Sequence, residues 1–407
     1  MGCNAEEPKT KAEPPQPKKS MTAKDILGNP AYPAISFGGY RTDTRDNQPT
    51  VGELIEDMKI LAAMNIKVLR TYHTKMPHAT NVVKAIHEIK KGDPDFEMYV
   101  MVGAWIDCKG AWTDTRDHDD EEAEANAAEV QRAIDLATTY PDIVKVIAVG
   151  NEAMVKWADT YFVQANVILK YVNQLQALKK EGKLPADLWI TCSDNFASWG
   201  GGGDEYHTED LAKLIKAVDY VSLHTYPMHD THYNSGFWGV EENEKDLSDT
   251  AQIKAAMIRA RDYAISQYTN TATYIKGIAP NKPIHIGETG WASVSDAFYS
   301  PEGSKACDEY KEALYYHLIR EWTDANGIAC FYFEAFDEPW KGGESLGDSE
   351  KHFGIFDVDG KAKYAIWDLV DQGIFEGLTR GGNPIVKTYD GNFDAMMKDV
   401  HLPPTKK

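Results

Sequence analysis

Three stretches of the chain end in carboxylates that its apolar surroundings make costly. They read IAVGNEA at 147–153, PIHIGETGW at 283–291 and FEAFDEPWK at 333–341. The apolar runs before Glu152 and Glu288 have the composition of interior strands, where an unpaired ionised carboxylate costs several kcal/mol. Two glutamates kept at such positions, with amide and aromatic neighbours, can divide general-acid and nucleophilic work between them. On an uncharged polyhydroxyl ligand that chemistry is cleavage of a glycosidic bond. In its retaining form one carboxyl protonates the leaving oxygen and the other attacks the anomeric carbon, the two lying about 5–5.5 Å apart.

Strand-like and helical runs alternate along the chain and must position these groups. Eight runs read as strands: 34–40, 66–72, 98–105, 144–152, 188–195, 220–227, 283–291 and 328–340. Most are apolar nearly throughout, as parallel strands covered on both faces are. Helical periodicity lies between them, first over about 51–64, where Thr50 and Glu53 form a capping box, then near 80–91, 121–139, 160–181, 208–218, 250–269, 305–323 and 363–371. Eight alternations predict a single-domain α/β (β/α)8 TIM barrel. A doubly wound open sheet is the rival, disfavoured by the strand count and by the lack of a Gly-rich phosphate loop.

Barrel enzymes carry their chemistry at the carboxyl ends of the strands, and the polar residues of this chain collect there. Tyr40 ends the first strand, Arg70 and Tyr72 the second, Trp105 the third, and Asn151 with Glu152 the fourth. Asp194 and Asn195, His224 and Tyr226, Glu288 and Trp291, then Asp337, Glu338 and Trp340 follow on the fifth to the eighth. The tips of strands four and seven face each other across a closed barrel, which sets Glu152 against Glu288, and Arg70 is placed to keep Glu288 ionised. Trp105, Trp291 and Trp340 are candidate sugar-stacking platforms. His224 reads as a hydrogen-bonded histidine, since HTYPMHDTH (224–232) lacks zinc-like spacing. The acidic run 117–129 reads as a solvated helix start.

The 407 residues carry 43 Lys+Arg and 63 Asp+Glu, a formal charge of −20, which argues against nucleic acid or an anionic membrane as the principal ligand. No apolar run reaches the length of a bilayer span. Residues 1–29 read as a disordered tether, 30–380 as the barrel and 381–407 as a C-terminal extension. Met1-Gly2-Cys3 resembles the remnant of a bacterial lipoprotein signal, with a scar from cloning as the alternative. The lipoprotein reading makes Cys3 a lipid-anchored residue and places the chain in a bacterial envelope, on the outer membrane or in the periplasm. Cys108, Cys192, Cys307 and Cys330 have neither paired nor metal-ligand spacing and read as small core residues.

The motifs IAVGNEA, GETGW, FEAFDEPWK and HFGIFD (352–357), in this order on these strands, resemble glycoside hydrolase family 17, the β-1,3-glucanase family of clan A, in its bacterial and fungal branch. The resemblance covers nearly all of 34–370. It implies a retaining enzyme that needs no metal or organic cofactor, with Glu152 as acid/base, Glu288 as nucleophile, and Glu338 with Lys341 as an auxiliary ion pair near the acid. Three activities are compatible with it: an endo-β-1,3-glucanase acting on laminarin-type glucan as a monomer, a β-1,3-glucanosyltransferase with the same glutamates, and a non-catalytic glucan-binding lipoprotein. The last would be expected to have lost one of the glutamates, and both are present. Residues 228–248 read as a long loop, rich in histidine and aromatics, that maps onto no family feature.

Overall fold

The computed structural model describes residues 21–406. Eight parallel strands close into a barrel: β1 (Ala34–Ser36), β2 (Val68–Arg70), β3 (Tyr99–Ala104), β4 (Val144–Asn151), β5 (Trp189–Asn195), β6 (Val221–His224), β7 (Ile284–Gly290) and β8 (Cys330–Phe333). Closure is made where Ala34 of β1 pairs with both Val68 of β2 and Phe331 of β8. The helices between them are α1 (Val51–Ala63), α2 (His78–Gly92), α3 (Ala123–Thr139), α4 (Ala165–Lys180), α5 (Glu209–Ala217), α6 (Asp249–Ile278), α7 (Glu309–Ala325) and α8 (Trp367–Asp371). The α1 capping box is formed as expected, with Thr50 accepting from the Glu53 amide and the Glu53 carboxylate accepting from Thr50.

Two register shifts fall where the strands approach the carboxyl end of the barrel, between Ala148 and Asn151 on β4 and between Leu223 and His224 on β6. Such irregularities re-aim the side chains that follow, and here Asn151, Glu152 and His224 follow. The first and last strands are shorter than the 34–40 and 328–340 runs. Beyond β1 the chain turns through Gly38, where an added Cβ would lie 1.6 Å from Glu338 Oε1, so only glycine lets that carboxylate pack there.

The amino-terminal boundary lies earlier than residue 30. Thr22 caps a short helix, Ala23–Ile26, whose Ala23 and Ile26, with Leu27, are buried against Ala34, Val68, Tyr99 and Phe331 at the amino end of the barrel. Residues 22–29 are therefore a plug, because the open floor of the barrel presents apolar side chains that must be covered. The rest of the expected tether, with Cys3, lies outside the described residues. At the other terminus, Thr379–Arg380 pairs with Asn383–Pro384, buried Arg380 bonds Asp57 of α1 at 3.0 Å, and Thr405 bridges to Val240.

Two further expectations are corrected. Only the second half of the acidic run is a helix start: Asp117–Glu121 forms a hairpin with Cys108–Lys109, and residues 123–129 open α3. Within that run Glu129 is buried, because the backbone amides of Thr74 (2.7 Å), Lys75 (2.8 Å) and Trp105 (3.3 Å) need an acceptor where they leave β2 and β3. Residues 228–248 are likewise no open loop. Proline begins a helix, Pro227–Tyr233, and Trp238 is buried against Trp291, whereas Tyr233 stays exposed. Cys108, Cys192, Cys307 and Cys330 are unpaired and buried.

Candidate active site

A cavity of about 640 Å³ opens at the carboxyl end of the barrel, and Glu152 and Glu288 both line it. Glu288, within β7, is almost fully buried and accepts three side-chain hydrogen bonds. Arg70 Nη1 at 2.5 Å and Tyr72 Oη at 3.1 Å reach Oε2, and Tyr226 Oη at 2.5 Å reaches Oε1. The Arg70 guanidinium is itself fixed, donating to the Gly287 carbonyl at 2.8 Å and to Asn151 Oδ1 at 2.5 Å. Burial alone would raise the Glu288 pKa. The imidazole of His224, the Arg70 charge and the Tyr226 and Arg70 hydrogen bonds outweigh it and hold the carboxyl down at about 2. Glu288 therefore stays a carboxylate well below the usual carboxylate range.

Glu152 has a different environment. Its side chain is 24% exposed, His224 Nδ1 lies 3.2 Å from Oε1, and Asn195 Nδ2 donates to the same oxygen at 3.4 Å. His224 is fully buried, and its Nε2 bonds Ser193 Oγ at 2.7 Å, which fixes the ring. Glu152 sits at φ 46°, a left-handed conformation unusual for a residue with a Cβ, two residues after Gly150 at φ 82°. The turn is braced from below by Asp194, whose carboxylate accepts from the Met154 amide at 2.8 Å and from Ser198 Oγ at 2.6 Å. Asp194 is fully buried, and burial, with Glu152 nearby, pushes its pKa up to about 6.

The ion pair expected at Glu338 and Lys341 is a triad. Lys341 Nζ lies 2.7 Å from Glu338 and 2.8 Å from Glu334, which the sequence pattern hides inside an apolar strand. Burial and the neighbouring Glu338 raise Glu334 well above the usual carboxylate range, while Lys341 holds Glu338 below it. The triad shares the cavity with Glu152 but is anchored beyond β8, beside Tyr40, whose backbone amide faces Glu338 Oε1 at 3.5 Å.

Tyr40, Tyr72, Trp105, Asn151, Trp340 and Lys341 also line the cavity, while Arg70, Asn195, His224 and Tyr226 act on the carboxylates from behind or beside them. Trp291 does not belong to the site. It is fully buried between Trp238 and Tyr315, with its indole N–H bonded to the Ala306 carbonyl at 2.8 Å, because the chain after β7 turns outward into the helical layer. In its place the structure supplies Trp112, Asp107 and Glu129 to the cavity wall, none of them at a strand end. Trp112 left one signal, a lone tryptophan in the polar stretch KGAWTDTRD (109–117).

A closed parallel barrel with two carboxylates in unlike environments at its carboxyl end is the architecture of a glycoside-cleaving enzyme. The chain belongs to the BtgE/BtgC glycoside hydrolase domain family, whose model matches residues 34–354. It is similar, at 65% identity and a TM-score of 0.94, to the crystal structure of an endo-laminarinase from Formosa Hel1_33_131, over 95% of this chain and 98% of that one. Among curated proteins it is 27% identical to a glucan 1,3-beta-glucosidase of Arthroderma benhamiae, over 63% of this chain and 69% of that protein. It is 24% identical to glucan endo-1,3-beta-glucosidase btgC of Emericella nidulans, over 83% of this chain and 46% of that protein. The chain thus spans less than half the length of that second relative. A glycoside hydrolase family 17 beta-1,3-glucanosyltransferase from Rhizomucor miehei, 19% identical with a TM-score of 0.56, shares the fold.

Proposed function

We propose that this chain hydrolyses β-1,3-glucan internally and with retention, through a covalent glycosyl-enzyme. Glu288 attacks the anomeric carbon as the bond to the leaving oxygen breaks, and Glu152 gives that oxygen its proton. Glu152 then takes a proton from water, whose oxygen displaces Glu288. The observation that carries the reading is the contrast between the two carboxyls. Glu288 is buried among three donors that hold it ionised, whereas Glu152 is partly open beside His224 and Asn195. Its likeness to the Formosa endo-laminarinase over almost the whole chain supports the substrate class. Internal cleavage is supported by the position of 228–248, none of which is among the residues lining the cavity.

Attachment to a bacterial envelope through Cys3, and action as a monomer, belong to the same proposal. No helix among the described residues is long and apolar enough to cross a membrane. The test is an initial-rate series on linear β-1,3-glucan oligosaccharides with β-1,4 cellulose oligosaccharides as control. Cleavage of the first series into a mixture of shorter oligomers, with the control untouched, is the expected result. Equal rates on both series would overturn the linkage assignment, and products longer than the substrate would turn the reading toward glucanosyl transfer.

A further inference from the structure

The hairpin after β3 gives the cavity wall an aromatic platform that the two-carboxylate chemistry does not use. Trp112, 60% exposed, lies almost parallel to Tyr161 (centroids 5.2 Å apart, planes at 19°) and is also stacked with Trp105 at 6.4 Å. Both indole N–H groups donate to one oxygen, Asp107 Oδ1, at 2.7 Å from Trp105 and 3.2 Å from Trp112. A lone exposed tryptophan needs no explanation, but this one lines the cavity, is pinned by a carboxylate, and holds φ at 66° against the preference of a residue with a Cβ. Its hairpin is joined to the segment that follows Glu152: the Trp112 amide donates to the Thr160 carbonyl at 2.9 Å and the Cys108 amide to the Tyr161 carbonyl at 3.0 Å. At the other side of the cavity Trp340 offers less open surface, since the Arg45 guanidinium lies 4.3 Å from its ring centroid and Tyr40 packs edge-on at 5.7 Å.

We propose that Trp112, backed by Tyr161 and oriented by Asp107, is a distal subsite for one glucosyl unit of a β-1,3-glucan chain and makes the enzyme prefer long chains over short ones. The inference rests on the functional reading above. A pyranose ring presents an apolar C–H face, which an open indole face receives with little loss of freedom, because stacking on Tyr161 already fixes the indole. Trp112 would be a specificity-determining residue and not a catalytic one.

The experiment compares wild type, Trp112→Ala and Trp112→Phe on linear β-1,3-glucan chains of increasing length, with thermal melting recorded for each protein. On long chains Trp112→Ala should lose about tenfold in kcat/KM, mostly through KM. On the shortest chain that wild type cleaves it should match wild type, and Trp112→Phe should retain most of the length preference. Equal loss at every length, or no loss at any, would overturn the subsite while leaving the hydrolase reading intact. Failure of wild type to cleave any β-1,3 chain would remove both.

Discussion

Glu288 illustrates how burial and charge are reconciled at one residue. A carboxylate nearly removed from water is unfavourable unless donors and a cation replace the solvent, and Arg70, Tyr72 and Tyr226 do so. Its pKa of about 2 lies below the ordinary 4.5. The native state therefore gains stability from it above about pH 4.5 and loses that gain as the pH falls toward 2. On the proposed mechanism activity follows the same sign, because Glu288 must be ionised to attack and protonation from the acid side removes it. Tyr226→Phe deletes one donor to the charged form while leaving the ring in place. The acid limb of kcat/KM should then move to higher pH, and kcat/KM at the optimum should fall by about ten- to a hundredfold, on the scale of losing a hydrogen bond to a charged group. An unchanged acid limb in a pH–rate series would show that Tyr226 does not hold the charge on Glu288.

At the scale of elements, the barrel is held at its floor as well as its rim. Ile26 of the short helix Ala23–Ile26 is buried against the inward side chains at the amino ends of the strands. Ile26→Ala should destabilise the fold by about 2–5 kcal/mol through lost burial and the cavity left behind, with kcat/KM unchanged, because the site is at the opposite end. Thermal melting beside kinetics checks this, and an unaltered melting temperature would contradict the plug. The eight strands were legible because parallel strands covered on both faces must be apolar, and Glu152 and Glu288 were legible because they end such runs. The short plug was not, since four helical residues carry no period. Trp291 misled because a strand-end position does not say whether the chain next turns over the barrel mouth or outward, and here it turns outward against Trp238. Glu334 stayed hidden because an apolar run gives no sign that Lys341, seven residues on, returns to meet it.

Over the whole molecule, a formal charge of −20 and a cavity lined with carboxylates and aromatic rings suit a neutral polymer better than an anionic one. The wall of that cavity is contributed mainly by the β8, β1, β2, β3 and β4 ends of the barrel, and Glu288 reaches it from β7. In the proposed mechanism Glu152 serves first as acid and then as base, and Glu288 supplies the oxygen that bonds to the anomeric carbon. The account can be tested at that bond. An activated 2-deoxy-2-fluoro laminaribioside slows hydrolysis of the glycosyl-enzyme, so that intact mass and then peptide mass spectrometry can locate the sugar. The predicted result is one fluorinated disaccharide per chain, attached to Glu288; attachment to Glu152, Glu334 or Glu338, or no attachment in an enzyme that still cleaves β-1,3-glucan, would contradict it.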